Sequence, residues 1–234
     1  MIGPSDWHGR ALQTALTEQP ALSLDFYSFG VMLRKRDGDL ISEYPVDPAQ
    51  VALALAAKVT YDTGLLTGDT LFVRYEGVVC TIAEYRRPQQ TGVYLDGSDA
   101  PLRIPLPGLI LIRQTRENRD PTYLVYAVKK RPESHDWPLF HAPLPNVYSS
   151  AAICWGSVRT VSDAALAGTS LAEDWGLLLG SPFGDHAVSG KSKRFPRDVR
   201  EHFIDLEKRH ARVYPRGDLL PTRKTLGQVS GQSP

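Results

Sequence analysis

The stretch "HAPLPNVYSSAAICWGSV", residues 141–158, carries Cys154, one of only two cysteines in the chain, eight positions after Asn146. In one reading, Pro145-Asn146 is an ordinary turn, Ile153-Cys154-Trp155 is a strand end, and the thiol is a small buried hydrophobe, as composition alone favours. In the other, Cys154 is a nucleophile and Asn146 its fixed polar partner. A thiol does chemistry when it is partly exposed and its thiolate is stabilised. Acyl transfer also needs a donor for the tetrahedral oxyanion, and the side-chain amide of Asn146 can supply one. Pro145 and its Pro-rich approach fix the loop that holds that amide. Gly156, two residues past the thiol, leaves room for another chain's backbone to come close.

The elements around this stretch set the layout. Upstream, "LSLDFYSFGVMLRKRDGDLISEYPV" (22–46) reads as a hairpin around the turn signal Asp37-Gly38-Asp39. "DPAQVALALAAK" (47–58) is a helix with Asp47 as N-cap and Pro48 at its first position. "DTLFVRYEGVVCTIAEYRR" (69–87) is a second hairpin turning near Glu76-Gly77, with Cys80 in its core. Two further strands follow, 106–115 and 122–130. Four prolines between Arg131 and Val147 exclude a helix or a central strand there, and the aromatic residues of that stretch favour an ordered loop. Downstream, 162–181 is helical in composition but carries Gly168 and Gly176, and 181–196 is a turn-rich loop. Residues 197–214 give the best helix, with Val199, Phe203, Leu206 and Val213 on one stripe. The last twenty residues read as a frayed tail, and the first twenty as weakly helical at best. Strands first and helices last make an α+β layout with an antiparallel sheet.

The whole chain narrows the function. It has 234 residues, 42% hydrophobic, enough for a sizeable core. A net charge of +1 argues against a nucleic-acid partner for the molecule as a whole. From Lys191 onward there are 11 basic against 5 acidic residues, and before it 16 against 21. That asymmetry suits a solvated basic helix and tail, or an acidic partner. Two cysteines make no secreted disulfide framework, and the N-terminal stretch lacks the apolar run of a signal peptide. No apolar stretch is long enough to span a membrane, so a reducing cytoplasm is the expected compartment. The six histidines offer no metal spacing with the cysteines. "SGKS" (189–192) fails as a phosphate loop because five residues, not four, separate Gly184 from Gly190 and no apolar strand precedes it.

"PNVYSSAAICWG" resembles the active-site signature of E2 ubiquitin-conjugating enzymes. In that family a His-Pro-Asn turn is followed, after seven intervening residues, by the cysteine that carries ubiquitin as a thioester. Asn146 and Cys154 have this spacing. Val147-Tyr148 after the Asn and Ile153 before the Cys also match, as does the order helix, β-meander, Pro-rich loop, cysteine, helices. "APLPNVYSSAAICWGSV" followed by "SPFGDHAVSGKSKRFP" is more similar still to prokaryotic E2 family D, the PRTRC system protein B group. Members of that group are encoded beside a ThiF-like E1, a ubiquitin-like protein and a JAB-type peptidase. The similarity is strongest from Trp137 to Pro196. One position departs: Leu144 stands where the family has its motif histidine, a mainly structural residue there.

The resemblance implies a UBC/E2-like β-meander with flanking helices over 47–214. An N-terminal hairpin extension (1–46) would precede it and a basic tail (215–234) follow it. It implies that Cys154 takes the acyl group of a ubiquitin-like protein from the E1 and passes it to an amine, with Asn146 stabilising the oxyanion. Asp185 or His186, 31 and 32 residues past the cysteine, would orient or deprotonate the amine. Pro145, Tyr148, Trp155 and Gly156 would contact the partner. No cofactor is implied. Two rivals stand beside this: an E2-like scaffold that binds the ubiquitin-like protein or E1 without catalysis, and a DNA-associated role through the basic C-terminal segment.

Overall fold

In the strand Gly108–Arg116, six successive residues from Gly108 to Arg113 are buried, which marks the middle of a sheet covered on both faces. The computed structural model describes residues 20–56, 63, 65–76, 79–116, 119–156, 158 and 168–231. They fall into two compact units divided between Asp62 and Thr63, later in the chain than the boundary expected at 46/47.

The first unit is a three-stranded antiparallel meander, β1 (Leu22–Tyr27), β2 (Gly30–Asp37) and β3 (Leu40–Val46), followed by α1 (Pro48–Ala56). The expected hairpin has a third strand because a turn at Ser28-Phe29 splits its first arm. Gly38, at φ +58°, makes the other turn, where a left-handed residue is needed. Asp47 caps α1, its carboxylate accepting from Ala49 N at 2.9 Å.

The second unit is built on a six-stranded antiparallel sheet in the order β11-β10-β9-β8-β5-β4. These strands are β4 (Thr70–Glu76), β5 (Val79–Arg86), β8 (Gly108–Arg116), β9 (Arg119–Val128), β10 (Pro138–His141) and β11 (Pro221–Thr225). A small separate ribbon, β6 (Gln89–Val93) with β7 (Leu102–Leu106), lies between β5 and β8 in the chain. The expected strand over 106–115 is broken between β7 and β8. Gly108 sits where a Cβ would come within 3.0 Å of the Tyr85 ring and the Val128 carbonyl.

The two-residue period of the strands sorts the core into two layers. Leu109, Leu111, Val125 and Ala127 point to one face and Ile110, Ile112, Tyr126 and Val128 to the other. Two helices cover the first face: α2 (Ala172–Gly180) through Trp175, Leu178 and Leu179, and α3 (Val199–Lys208) through Val199, Phe203 and Leu206. Asp198 caps α3, accepting from Arg200 N at 2.8 Å. That helix is shorter than its sequence pattern. His210 turns left-handed at φ +48° and Ala211 N closes onto Leu206 O at 2.9 Å, so Val213 falls outside the helix and is exposed.

The basic C-terminal segment is not a frayed tail between Arg216 and Val229. It forms a 3₁₀ turn (Arg216–Asp218), then β11 at the edge of the sheet, then α4 (Leu226–Val229) with a Thr225–Gln228 capping box. Leu219 and Leu226 are the apolar residues that tie it down. Gly168 precedes α2, whereas Gly176 lies inside it. The readings of residues 1–19, of the turn at Gly77 and of the helical stretch before Gly168 fall outside the described residues.

Candidate functional site

After β10 the chain runs through Ala142, Pro143, Leu144 and Pro145, all buried, and reaches Asn146. Leu144, which is fully buried, packs into the core layer shared with α2 and α3. Its place in the loop is therefore held by apolar contact. Asn146 adopts φ +58°, a left-handed conformation that Asn tolerates better than most residues.

From there residues 146–154 fold into a tight hairpin. Tyr148 N donates to Ala152 O at 2.8 Å, Ala151 N closes the tip onto Tyr148 O at 2.9 Å, and Ala151 is left-handed at φ +74°. Val147 bridges Ile153, and Cys154 N donates to Asn146 O at 2.7 Å. The seven-residue spacer is thus the length of one hairpin whose base pairs Asn146 with Cys154. Its second arm hydrogen-bonds to β9, through Val125 N to Ala151 O (2.9 Å) and Ile153 N to Tyr123 O (3.2 Å). One stretch of the β9 edge pairs with β10 and the neighbouring stretch with this hairpin, which places the thiol on the central sheet.

The other wall of the site comes from the loop 181–186 after α2. Phe183 anchors it: its N–H donates to Tyr94 O and its carbonyl accepts from Asp96 N, while its ring is buried against Phe203. The loop presents His186, whose carbonyl accepts from Asn146 N at 2.9 Å and whose ring meets Tyr148 edge-on at 5.2 Å. The Asn146 side-chain amide makes only a long contact to Pro182 O, at 3.4 Å, so little is lost when it turns to another acceptor.

Between the two walls lies a cleft of about 340 Å³. Cys154, half-buried, opens into it together with Asn146, Trp155, Gly156 and His186. Ile153, Leu177 and Phe183 make its apolar surface. The Tyr148 phenol is raised above its ordinary pKa, chiefly by its interaction with the Cys154 thiol.

Trp155 is positioned from behind. Its ring packs edge-on to Tyr123 at 5.0 Å. The Tyr123 hydroxyl donates to Asp174 Oδ1 at 2.8 Å, and Arg113 pairs with Asp174 Oδ2 at 2.8 Å. Arg113 also donates to Gly168 O at 2.6 Å. Burial first, and then the bond to Asp174, push the Tyr123 phenol well above its usual range.

The residues expected at the site are therefore unequally placed. Cys154, Asn146, His186, Trp155 and Gly156 share one cleft, with Tyr148 beside the thiol. Pro145 is buried and shapes the loop from within. Asp185 is exposed and absent from the cleft lining, and its charge acts on Arg200. The carboxylate that does line the cleft is Asp96, from the turn after β6, a residue that sequence reading missed because "LDGSD" carries only a turn signal. Sequence reading also missed Lys191, which is 2% exposed and donates its ammonium to Val147 O inside the hairpin.

Both cysteines are free thiols. Cys80 lies within β5, opposite Tyr75, and packs partly against the core. Among the described residues no three His, Cys, Asp or Glu gather as a metal site, and no helix is long and apolar enough to cross a membrane.

No curated protein and no solved structure matches the chain. The family model described as prokaryotic E2 family D matches residues 50–222, from within α1 through the hairpin and both flanking helices into β11. With nearly three-quarters of its length matched, the chain belongs to prokaryotic E2 family D.

Proposed function

We propose that Cys154 accepts the C-terminal acyl group of a ubiquitin-like protein from a ThiF-like E1 and then transfers it to an amine. The Cys154 thiolate attacks the carbonyl of the E1-bound thioester, and the E1 thiolate leaves. An amine then attacks the new thioester, the C–S bond to Cys154 breaks, and the amine loses a proton. Each step passes through a tetrahedral oxyanion, for which the Asn146 amide is the available side-chain donor. His186 and Asp96 line the cleft and are the groups placed to take the amine proton, in preference to Asp185, which lies outside the lining. The Tyr148 hydroxyl, which interacts with the thiol, is the neighbouring side-chain group able to donate to the sulfur.

The observation that carries this reading is the hairpin that sets Asn146 opposite Cys154 on the rim of a mostly apolar cleft. A half-buried thiol facing such a cleft suits a carrier better than a scaffold. The test mixes the chain with a cognate ubiquitin-like protein, its E1 and ATP. A thiol-sensitive adduct is expected with the wild type and with Cys80→Ser, but not with Cys154→Ala. No adduct with the wild type, or an adduct that survives Cys154→Ala, sinks the carrier role and leaves the scaffold reading.

A further inference from the structure

Lys191 lies in a loop that neither composition nor the proposed chemistry uses. It belongs to "SGKS", where Gly190 at φ +69° bends the backbone and Gly190 N donates to Pro196 O at 2.9 Å. The loop is pinned to the C-terminal segment through Lys193 N to Asp218 O and Arg194 N to Asp218 Oδ1. With its backbone held there, the Lys191 side chain runs inward, 2% exposed, and its Nζ donates to the carbonyl of Val147. Val147 is itself buried and stands between Asn146, which lines the cleft with the thiol, and Tyr148, whose phenol interacts with the thiol.

We infer that Lys191 is the positioning residue of the site: its bond to the Val147 carbonyl holds the first arm of the hairpin and thereby sets where Asn146 and Tyr148 stand relative to Cys154. The inference rests on the proposed acyl transfer only for its consequence in rate; the tie itself is a property of the free chain. Backbone bonds hold this arm at its ends: Asn146 N to His186 O, Cys154 N to Asn146 O, Tyr148 N to Ala152 O and Ala151 N to Tyr148 O. Lys191 Nζ to Val147 O holds it between them, and of these ties it is the one that depends on a side chain. Leu144, two residues before the arm, has no polar side-chain atom with which to take over.

The tie also responds to pH. Burial pushes the Lys191 ammonium down to about 8 from an ordinary 10.5. Among the described residues no carboxylate ion-pairs with it. The titratable group nearest in effect is His141 of β10, lowered by burial and then by Lys191 and by Lys224 of β11, so it titrates below 6.5 and outside this window. Opening the arm to water returns Lys191 toward its free pKa, so opening takes up a proton between pH 8 and 10.5. The closed arm therefore gains stability as pH rises through that interval.

The experiment is amide hydrogen exchange on the free full-length chain, corrected for intrinsic exchange rates. In the wild type the opening constants at the Asn146 and Cys154 amides should fall about tenfold between pH 7 and 9, while those at Ile110 and Leu111 stay level. Lys191→Met, which cannot donate, should raise opening at Asn146 and Cys154 at least about tenfold at pH 9 and remove the pH trend. Lys191→Arg, which donates but stays charged, should stay flat with pH and keep opening near the wild type's pH 7 level. With the E1 system, Lys191→Met should lower the rate of thioester discharge and leave the KM for the amine unchanged. Protection that is flat with pH in the wild type and unaltered in Lys191→Met overturns the tie, even if thioester forms normally. Exchange that behaves as described while no thioester ever forms leaves the tie standing and overturns the carrier reading instead.

Discussion

Two buried cations hold the Asn146–Trp155 segment, one at each end, and they are built differently. Arg113 has a charged partner: Asp174 neutralises it, Gly168 O takes a second N–H, and Tyr123 binds the other carboxylate oxygen. Lys191 has a carbonyl dipole where Arg113 has a charge. The planar guanidinium, bonded to Asp174 and Gly168, suits a fixed, pH-independent post, which here supports Trp155 through Tyr123. A buried ammonium facing a neutral acceptor stays charged only at a cost, so its end of the segment titrates. The Cys154 side of the site is thus set rigidly, and the Asn146 side is adjustable.

Cutting the matched end should do the most damage. Asp174→Ala leaves Arg113 buried and uncompensated and frees Tyr123, and we expect a loss of about 3–5 kcal/mol of unfolding free energy in urea titration. A loss below about 1 kcal/mol would mean that the two ends do not differ as described.

The second test reads the pH dependence of the same quantity. Lys191 has a folded pKa of about 8 and a free value of 10.5, so unfolding binds a proton between them and stability rises with pH across that window. Below pH 8 both states are charged and the burial cost is present in full. Measured against Lys191→Met, the wild type should gain about 2 kcal/mol between pH 7 and 9.5. No such slope is expected of Arg113, whose guanidinium stays charged throughout.

Smaller effects locate the junction of the two ends at the thiol. Tyr148→Phe removes the phenol donor and should slow iodoacetamide alkylation of Cys154 a few-fold at neutral pH, in a Cys80→Ser background, with stability unchanged. An unchanged alkylation rate would show that the phenol does not act on the sulfur. Asp185→Asn should change neither stability nor thioester discharge measurably, because that carboxylate lies outside the cleft lining. If Asp185→Asn slows discharge more than Asp96→Asn, the assignment of cleft groups is reversed.

Much of this was legible along the chain because it is local. The antiparallel α+β layout followed from strand runs separated by turns, the α1 cap from Asp47, and the pairing of Asn146 with Cys154 from a spacing that resembles the E2 signature. Three features were not legible, each for want of a distant partner. The C-terminal segment looked like a tail because β11 is short and polar, and only pairing with β10 makes it a strand. Asp96 looked like turn chemistry until Phe183 bonded it to the cleft wall. Lys191 looked like one more charge in a basic loop.

The sequence by itself determined the order of elements and which thiol has an amide opposite it, since both depend on backbone preferences over fewer than ten residues. The tertiary structure alone decided which charges are buried and against what. Burial is set by contacts between segments far apart in the chain. Arg113 with Asp174, and Lys191 with Val147, join segments 61 and 44 residues apart, and no local pattern encodes either meeting.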